Sequence, residues 1–435
     1  MATSGKKNVF IVGLDDFNLR MLQRLPEAKE CNFHAALHTN EIRGLESFPI
    51  DELVERAASR MEQFPGTVDA VTTYYDFPGT DFVPILAERF GLRAPSLESI
   101  FRCEHKYWSR LEQQKVIPDH IPQFKAFDPF DPDAFTNLAM IPPFWIKPIK
   151  SFRSFLAYKI NDETQFKAVM ETVQKQIDYI VSPFAHLLDA YRMPREIAEM
   201  KERCLAESPL AGSQCTLEGY VYEGEVVIYG VVDSVREADR SSFSRYEYPS
   251  SLPQEIQFRM ADVARRVVTG VGLDNSAFNM EFFYDPTHNQ VLLLEINPRI
   301  SQAHTDIFEK VHRFSHLRIM VNLALGRRPS PMEYHGPFRL AANCMLRTFE
   351  SGRVTRIPTP EAIERLCAEI PGTHIKLHVR EGQHLSELHG QDSYSYELAN
   401  IFLGGRDQAE IIDKYDRCVR ELDFAIERDE PTALY

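Results

Sequence analysis

SAFNMEFFYDPTHNQVLLLEINPR, residues 276–299, reads as two apolar strands flanking the turn Asp285-Pro-Thr-His-Asn289. Side chains alternate between faces along a strand. Asn279 and Glu281 therefore share one face, and Phe278, Met280 and Phe282 share the other. Glu295 and Asn297 share a face on the second strand. If Asp285 pairs with Val291, Glu281 lies opposite Glu295 and Asn279 opposite Asn297. Opposed Cβ atoms in an antiparallel pair sit roughly 4.5–5.5 Å apart. Two carboxylates at that separation repel, and burial makes the repulsion worse. A divalent cation is the simplest remedy. Hard oxygen ligands without Cys or His suit Mg²⁺ or Mn²⁺, which use one or two carboxylates together with phosphate oxygens. Glu281 and Glu295 are thus the candidate metal ligands, with Asn297 on the same face. The bland alternative is a solvated face with two unrelated glutamates. The apolar flanks LLL and FNM speak against it.

At 435 residues, two or three domains and a large core are expected. Hydrophobic residues at 44% and charged residues at 26% fit a soluble globular protein. A net charge of −14 argues against nucleic acid or an anionic membrane as the main partner. No apolar run is long enough for a transmembrane helix, so none is expected. The start, MATSGKKNVFIVG, lacks the apolar length of a secretory signal, and a cytoplasmic location is expected. Seven scattered cysteines, never in a CxxC pair, read as reduced and buried thiols.

The first 97 residues alternate in a βαβ manner. Strands are expected at Val9–Gly13, Phe33–His38 and Ala70–Tyr75, and helices at Phe17–Leu25, Asp51–Phe64 and Phe82–Phe90. This is a Rossmann-like layer. Gly13 is followed by LDDF, so the glycine fingerprint for NAD or FAD is missing. No GxxxxGK[ST] loop occurs either. A second unit spans 98–330, with a lid at about 120–208 that is helical and charged over 161–205. Within it, 212–233 reads as two strands about Glu223-Gly224, and 253–270 as a helix. Residues 331–435 form a small α+β unit closed by an amphipathic helix over Gln408–Arg428.

Several stretches of the chain resemble the ATP-grasp superfamily, of mixed α/β and α+β architecture. Glu295-Ile-Asn-Pro-Arg299 is similar to that family's metal strand, and Glu281 in FNMEFF to its metal-bridging carboxylate. His105-Lys106 after LESIFRCE resembles the site of the first nucleotide lysine, and Phe144-Trp-Ile-Lys-Pro148 the strand of the second, Lys147. Glu207 stands where a hinge carboxylate for ribose or adenine is expected. Gly212-Ser-Gln-Cys-Thr-Leu-Glu-Gly219 resembles the G-x-E-x-S/T-x-D-G stretch of carboxylate–amine ligases such as carnosine synthase, which belong with biotin carboxylase-like enzymes. The resemblance covers about residues 98–330 and implies an ATP-grasp fold with an N-terminal pre-ATP-grasp domain. A lysine on a strand beside proline, between apolar residues, is also a poor surface lysine in its own right, so Lys147 is expected to pair with an anion.

The resemblance implies ATP and Mg²⁺ (or Mn²⁺) as cofactors. It also implies small-molecule carboxylate and amine substrates and, since relatives are often dimers, a homodimer. Lys106, Lys147, Lys150, Glu207 and Gln214 would bind the nucleotide, and Arg299 and Lys147 would be catalytic. Three departures limit the match. The stretch Lys150-Ser-Phe-Arg-Ser-Phe155 has no glycine where the family has a glycine-rich phosphate loop. Lys150, Arg153 and the hydroxyls of Ser151 and Ser154 could serve by side-chain contacts, or the loop stays open until substrate arrives. Gln214 and Glu218 replace the usual Glu and Asp. Ile300-Ser-Gln-Ala-His304 replaces a glycine-containing segment, and its polar Ser301 and His304 are candidate substrate contacts. Arg236 and Arg245 bracket hydroxyl-rich sequence that could clamp a substrate carboxylate, the alternative being a solvated loop. His312 and His316, four residues apart with no third ligand, are expected to be ordinary histidines. A phosphotransferase or carboxylase, or a non-catalytic nucleotide-binding module, stand as alternatives to a ligase.

Overall fold

A computed structural model describes residues 5–45, 47–152, 154–200, 202–238, 240, 242–330, 335–388 and 395–429. The N-terminal layer is a parallel three-stranded sheet, with Lys7–Leu14 central between Cys31–His38 and Ala70–Thr73. Helices Asp16–Gln23, Ile50–Glu62 and Gly79–Phe90 stand close to their expected places. The last stops at Gly91, whose left-handed φ of +63° suits a residue without Cβ.

An eight-stranded sheet forms the body of the molecule. The hairpin read from the sequence lies at one end, as Gln290–Asn297 and Ser276–Asp285. Next come Ser213–Tyr222, Glu225–Arg236 and Phe243–Tyr248. Glu223 and Gly224 both take positive φ in the tight turn between two of these strands. The sheet then continues through Leu340–Thr348, Tyr396–Gly405 and His374–Leu377. The C-terminal strands thus extend the central sheet, and the boundary drawn at 330 does not separate two sheets. The long C-terminal helix is shorter than expected and covers Gln408–Glu421. Backbone at Leu422 turns extended, and Ala425–Arg428 becomes a strand paired with Gly352–Arg356.

One face of the hairpin end is apolar. Phe278, Met280, Phe282, Val291, Leu293 and Ile296 are buried there with Met260, Val263, Ala264 and Val267 of the helix Gln254–Gly270. Each large side chain removed from water contributes about 1.5–3 kcal/mol, so this face anchors the hairpin. The opposite face is left for polar side chains.

The segment expected as a lid contains a four-stranded sheet in the order Phe124–Phe127, Cys204–Glu207, Phe144–Pro148, Tyr158–Ile160. Phe144 and Ile146 turn to one side, where Phe166, Met170 and Val173 of the helix Glu163–Gln176 join them in the core. Trp145 and Lys147 must then point the other way. The charged stretch expected to be helical holds three helices, Glu163–Gln176, Asp178–Ala190 and Arg195–Ala198, before the chain returns to the lid sheet. No helix among the described residues is long and apolar enough to cross a membrane. All seven cysteines are free, and all but Cys367 are buried.

Candidate active site

The hairpin register places Glu281 opposite Glu295 and Asn279 opposite Asn297, as parity required. It arrives there by another route. Asp285 pairs with Gln290, not Val291, and a bulge between Glu281 and Phe282 on one side restores the pairing by leaving Leu294 unmatched. A bulge inserts one residue and re-aims the side chains beyond it. The Leu294 carbonyl accepts from Arg110 Nη2 at 2.8 Å, and the Leu293 carbonyl from Nη1 at 3.1 Å, so the irregular backbone is satisfied from the helix Lys106–Val116.

The environments of the two glutamates differ. Burial, and then the charge of Glu295, push the Glu281 carboxyl above its ordinary value. Burial alone would also raise Glu295, but Lys106 and then Lys147 outweigh it and hold it down. Lys106 makes an ion pair with Glu295. Lys106 owes its position to a helix start: His105 Nδ1 accepts from the Trp108 N–H at 3.1 Å and so caps the helix that Lys106 opens.

Gln214 Nε2 donates to Glu281 Oε2 at 2.8 Å, and its Oε1 accepts from Arg236. The preceding Gly212 has φ +95°, and a Cβ there would sit 2.0 Å from the Tyr284 carbonyl oxygen. Only glycine allows the two strands to approach so closely. Asn297 Nδ2 donates to Asn279 Oδ1 at 3.1 Å. Arg299 Nε donates to Asp76 Oδ2 at 3.1 Å, and Nη2 pairs with the same oxygen.

Four residues named from the sequence have other surroundings than expected. Glu207 does not stand free for ribose or adenine. It is 3% exposed, with Oε1 on Arg110 Nε at 2.5 Å and Oε2 on Lys147 Nζ at 2.6 Å. Burial would raise its carboxyl, but Arg110 and Lys147 together hold it at about 2. Lys147 is thus paired with an anion, as a strand lysine among apolar residues should be. Lys150 does not reach outward over a loop. It is 2% exposed, ion-paired with Glu104 and lying 5.0 Å from the centre of the Phe77 ring. Ser151 beside it is buried, and Arg153 lies outside the described residues. Ser154 and Leu156 take left-handed backbone, φ +57° and +54°, which glycine would adopt at lower cost.

His304 is buried, not open to solvent. Its Nδ1 meets Glu218 Oε1 at 2.7 Å, and Tyr246 packs edge-on against its ring at 4.8 Å. Ser301 is half-buried on the same segment, and its backbone N–H also serves Glu218. Arg245 is on the wrong side of the sheet. It pairs across to Val235 and Cys344 and binds Glu247 at 2.6 Å, on the face covered by Gln408. Arg236 lies on the polar face with Gln214, so the two arginines cannot clamp one ligand. Arg236→Ala should therefore weaken the binding of an anionic ligand on the polar face several-fold, whereas Arg245→Ala should leave it unchanged; calorimetric titration of both variants with Mg-ATP and small carboxylates checks this.

His312 and His316 are buried core histidines, the first bonded to the Tyr248 hydroxyl at 2.5 Å. Among the described residues no group of three or more His, Cys, Asp or Glu could hold a metal. Two opposed carboxylates completed by an amide oxygen remain as the donor set of the hairpin.

Sequence reading missed three residues. Arg110 follows Lys106 by one helical turn and ties the lid, through Glu207, to the hairpin. Only that four-residue spacing hinted at it. Tyr246 occupies the polar face where Arg245 was sought; burial, then the charges of Glu281 and Glu397, push its phenol up. Asp76 is separated from Arg299 by 223 residues, and nothing local announces the contact.

Residues 140–306 match the family model described as an ATP-grasp domain. The match includes Lys147, Glu207, Gln214, Glu281, Glu295, Asn297 and Arg299, and ends at Asp306. The ATP-grasp likeness extends over the whole chain in three dimensions. An L-amino acid ligase from Bacillus licheniformis superposes with a TM-score of 0.74 at 16% identity, covering 98% of this chain and 100% of the other. Biotin carboxylase from Campylobacter jejuni, as a beta-gamma-ATP complex, gives 0.65 at 16% identity, covering 97% and 92%. At such identities the likeness establishes an ATP-grasp fold. In sequence, the carbamoyl phosphate synthase large chain of Streptomyces griseus is 34% identical over 68 residues, 16% of this chain and 6% of that one. The Thermotoga neapolitana counterpart is 27% identical over 144 residues, 30% and 13% of the two chains. The chain therefore matches only a small part of the length of these curated relatives.

Proposed function

We propose that the chain is an ATP-dependent ligase that joins a small polar carboxylate, such as that of an amino acid, to an amine, releasing ADP and phosphate. The observation that carries this reading is the opposed pair Glu281 and Glu295, flanked by Lys106 and Lys147 on one side and Arg299 on the other. Two half-buried carboxylates in opposition repel, and burial together with the charge of Glu295 makes Glu281 hold its proton more tightly. Glu281, Glu295 and the Asn297 amide, oxygen donors alone, would hold Mg²⁺ or Mn²⁺. Such an ion supplies neutralisation of phosphate charge and a fixed template for in-line transfer.

The chain's own residues do the rest by position and charge. Lys106 leaves Glu295 to meet phosphate oxygens, and Lys147 stands ready beside its partner Glu207. A substrate carboxylate takes the terminal phosphoryl group, giving an acyl phosphate and ADP. An amine then attacks the acyl carbon, the C–O bond to phosphate breaks, and the amine proton passes to solvent. Arg299, a fixed charge with a planar fork, meets the negative charge that builds on the carboxylate and the phosphoryl group. Arg236 reaches the same face through Gln214 and is the candidate contact for a substrate carboxylate. The Bacillus licheniformis likeness supports amino acids as the first substrates to try.

The test is phosphate release with Mg-ATP across pairs of amino acids and small carboxylates, with mass spectrometry of the products. A condensed product that needs both partners supports a ligase. ADP release that needs only the acid would replace it with a phosphotransferase or carboxylase. Tight ATP binding without turnover over the whole panel would leave a nucleotide-binding module.

A further inference from the structure

The contact between Arg299 and Asp76 joins two parts of the chain that the site's chemistry does not otherwise link. Asp76 follows the strand Ala70–Thr73 of the N-terminal layer and precedes the helix Gly79–Phe90. Its Oδ1 accepts from the Phe77 N–H at 2.8 Å, which fixes the carboxylate plane. Lys150 Nζ lies 3.9 Å from the same oxygen and is itself anchored on Glu104. Oδ2 is left to Arg299, taking both Nε and Nη2.

That side-on geometry decides which corner of the guanidinium is open. Nε and Nη2 are occupied by Asp76, and Nη2 also lies 3.4 Å from Asn297 Oδ1 on the metal strand. Nη1 has only a long contact, 3.4 Å to its neighbour's carbonyl at Ile300. An arginine two residues beyond a metal strand, on a loop, would otherwise swing through many rotamers. A charge acts on a transition state only if its position is set beforehand.

We propose that Asp76 is a positioning residue for Arg299: it grips one edge of the guanidinium from the N-terminal layer and presents Nη1 to the incoming anion. This rests on the ligase reading above. Burial would raise the Asp76 carboxyl, yet Arg299 and Lys150 outweigh it and keep it well below the ordinary range, so the grip is ionic at any neutral pH. Lys150 gains a role here as well. It does not meet phosphate; it neutralises the acidic cluster of Glu104, Asp81 and Asp76 so that Asp76 can be buried beside them. The N-terminal layer, which lacks a dinucleotide fingerprint, then serves the reaction by holding an arginine that another part of the chain supplies.

The experiment is a double-mutant cycle in the full chain with Asp76→Asn, Asp76→Glu and Arg299→Ala. The readouts are kcat and KM for phosphate release, and the Kd of a non-hydrolysable ATP analogue with Mg²⁺. Asp76→Asn should lower kcat tenfold or more while the analogue's Kd stays within twofold. Asp76→Glu should recover part of the loss. In an Arg299→Ala background, Asp76→Asn should have no further effect on kcat, because there is nothing left to position. An unchanged kcat in Asp76→Asn overturns the proposal. So does an equal loss with and without Arg299, or a loss of analogue binding together with turnover, since each marks a structural staple. A wild-type chain that turns over no substrate pair sinks the ligase reading and this inference with it. An active wild type with an indifferent Asp76→Asn sinks the inference alone.

Discussion

Arg299→Ala should lower turnover by about two orders of magnitude or more, the usual loss when one preorganised electrostatic donor is removed from a developing charge. The fall should appear in kcat and in kcat/KM to the same extent, because the interaction strengthens only in the transition state. Nucleotide affinity should change little, since Lys106 and Lys147 remain. Arg299→Lys should rescue only weakly. A lysine carries the charge but not the planar fork that Asp76 holds by one edge while the other stays open. The measurement is steady-state phosphate release on the best substrate pair found in the panel. Unchanged turnover in Arg299→Ala would remove this residue from the chemistry.

The second large effect is on stability. Glu207→Gln leaves Arg110 and Lys147 buried without a counter-charge. Breaking such a pair by removing one partner costs about 3–5 kcal/mol. Arg110 is 2% exposed and also carries the Leu293 and Leu294 carbonyls, so the damage would reach the bulge that aligns Glu295. The pH dependence follows from the depressed carboxyl. Glu207 sits at about 2 in the folded chain against an ordinary 4.5. Its contribution is complete above 4.5 and drains away as the pH falls towards 2. The stability gap between wild type and Glu207→Gln should therefore be full at pH 7 and narrow below pH 4.5. Urea unfolding at a series of pH values, read by the fluorescence of Trp108 and Trp145, checks both the size and the sign. A gap that stays constant down to pH 3 would mean that the triad of Arg110, Glu207 and Lys147 is not the source.

Local pattern carried a good deal. Alternation along residues 276–299 placed the apolar side of the hairpin in a core and the carboxylates on the other side, because side-chain direction in a strand follows parity alone. The same logic found the βαβ layer, the turn at Glu223 and Gly224, and Lys147 as a strand lysine in need of an anion. Motif spacing pointed to an ATP-grasp fold.

What pattern could not carry is anything set by a partner far along the chain. The pairing at the hairpin tip differs by one residue from the simple expectation, because the bulge at Leu294 is stabilised by Arg110 from a distant helix. Arg245 and Arg236 were grouped by nearness in sequence, yet strand parity and a register shift at Phe243 put them on opposite faces. Glu207 and Lys150 entered as nucleotide ligands through the resemblance alone, which says nothing of their surroundings. In the folded chain each is buried against a counter-charge, because a buried charge must find one within the protein. The opposed carboxylates of the opening hairpin are thus a property of the strand itself. Their alignment across the bulge, and the Asp76 grip on the arginine beside them, exist only where the folded chain brings the helix Lys106–Val116 and the N-terminal layer against that strand.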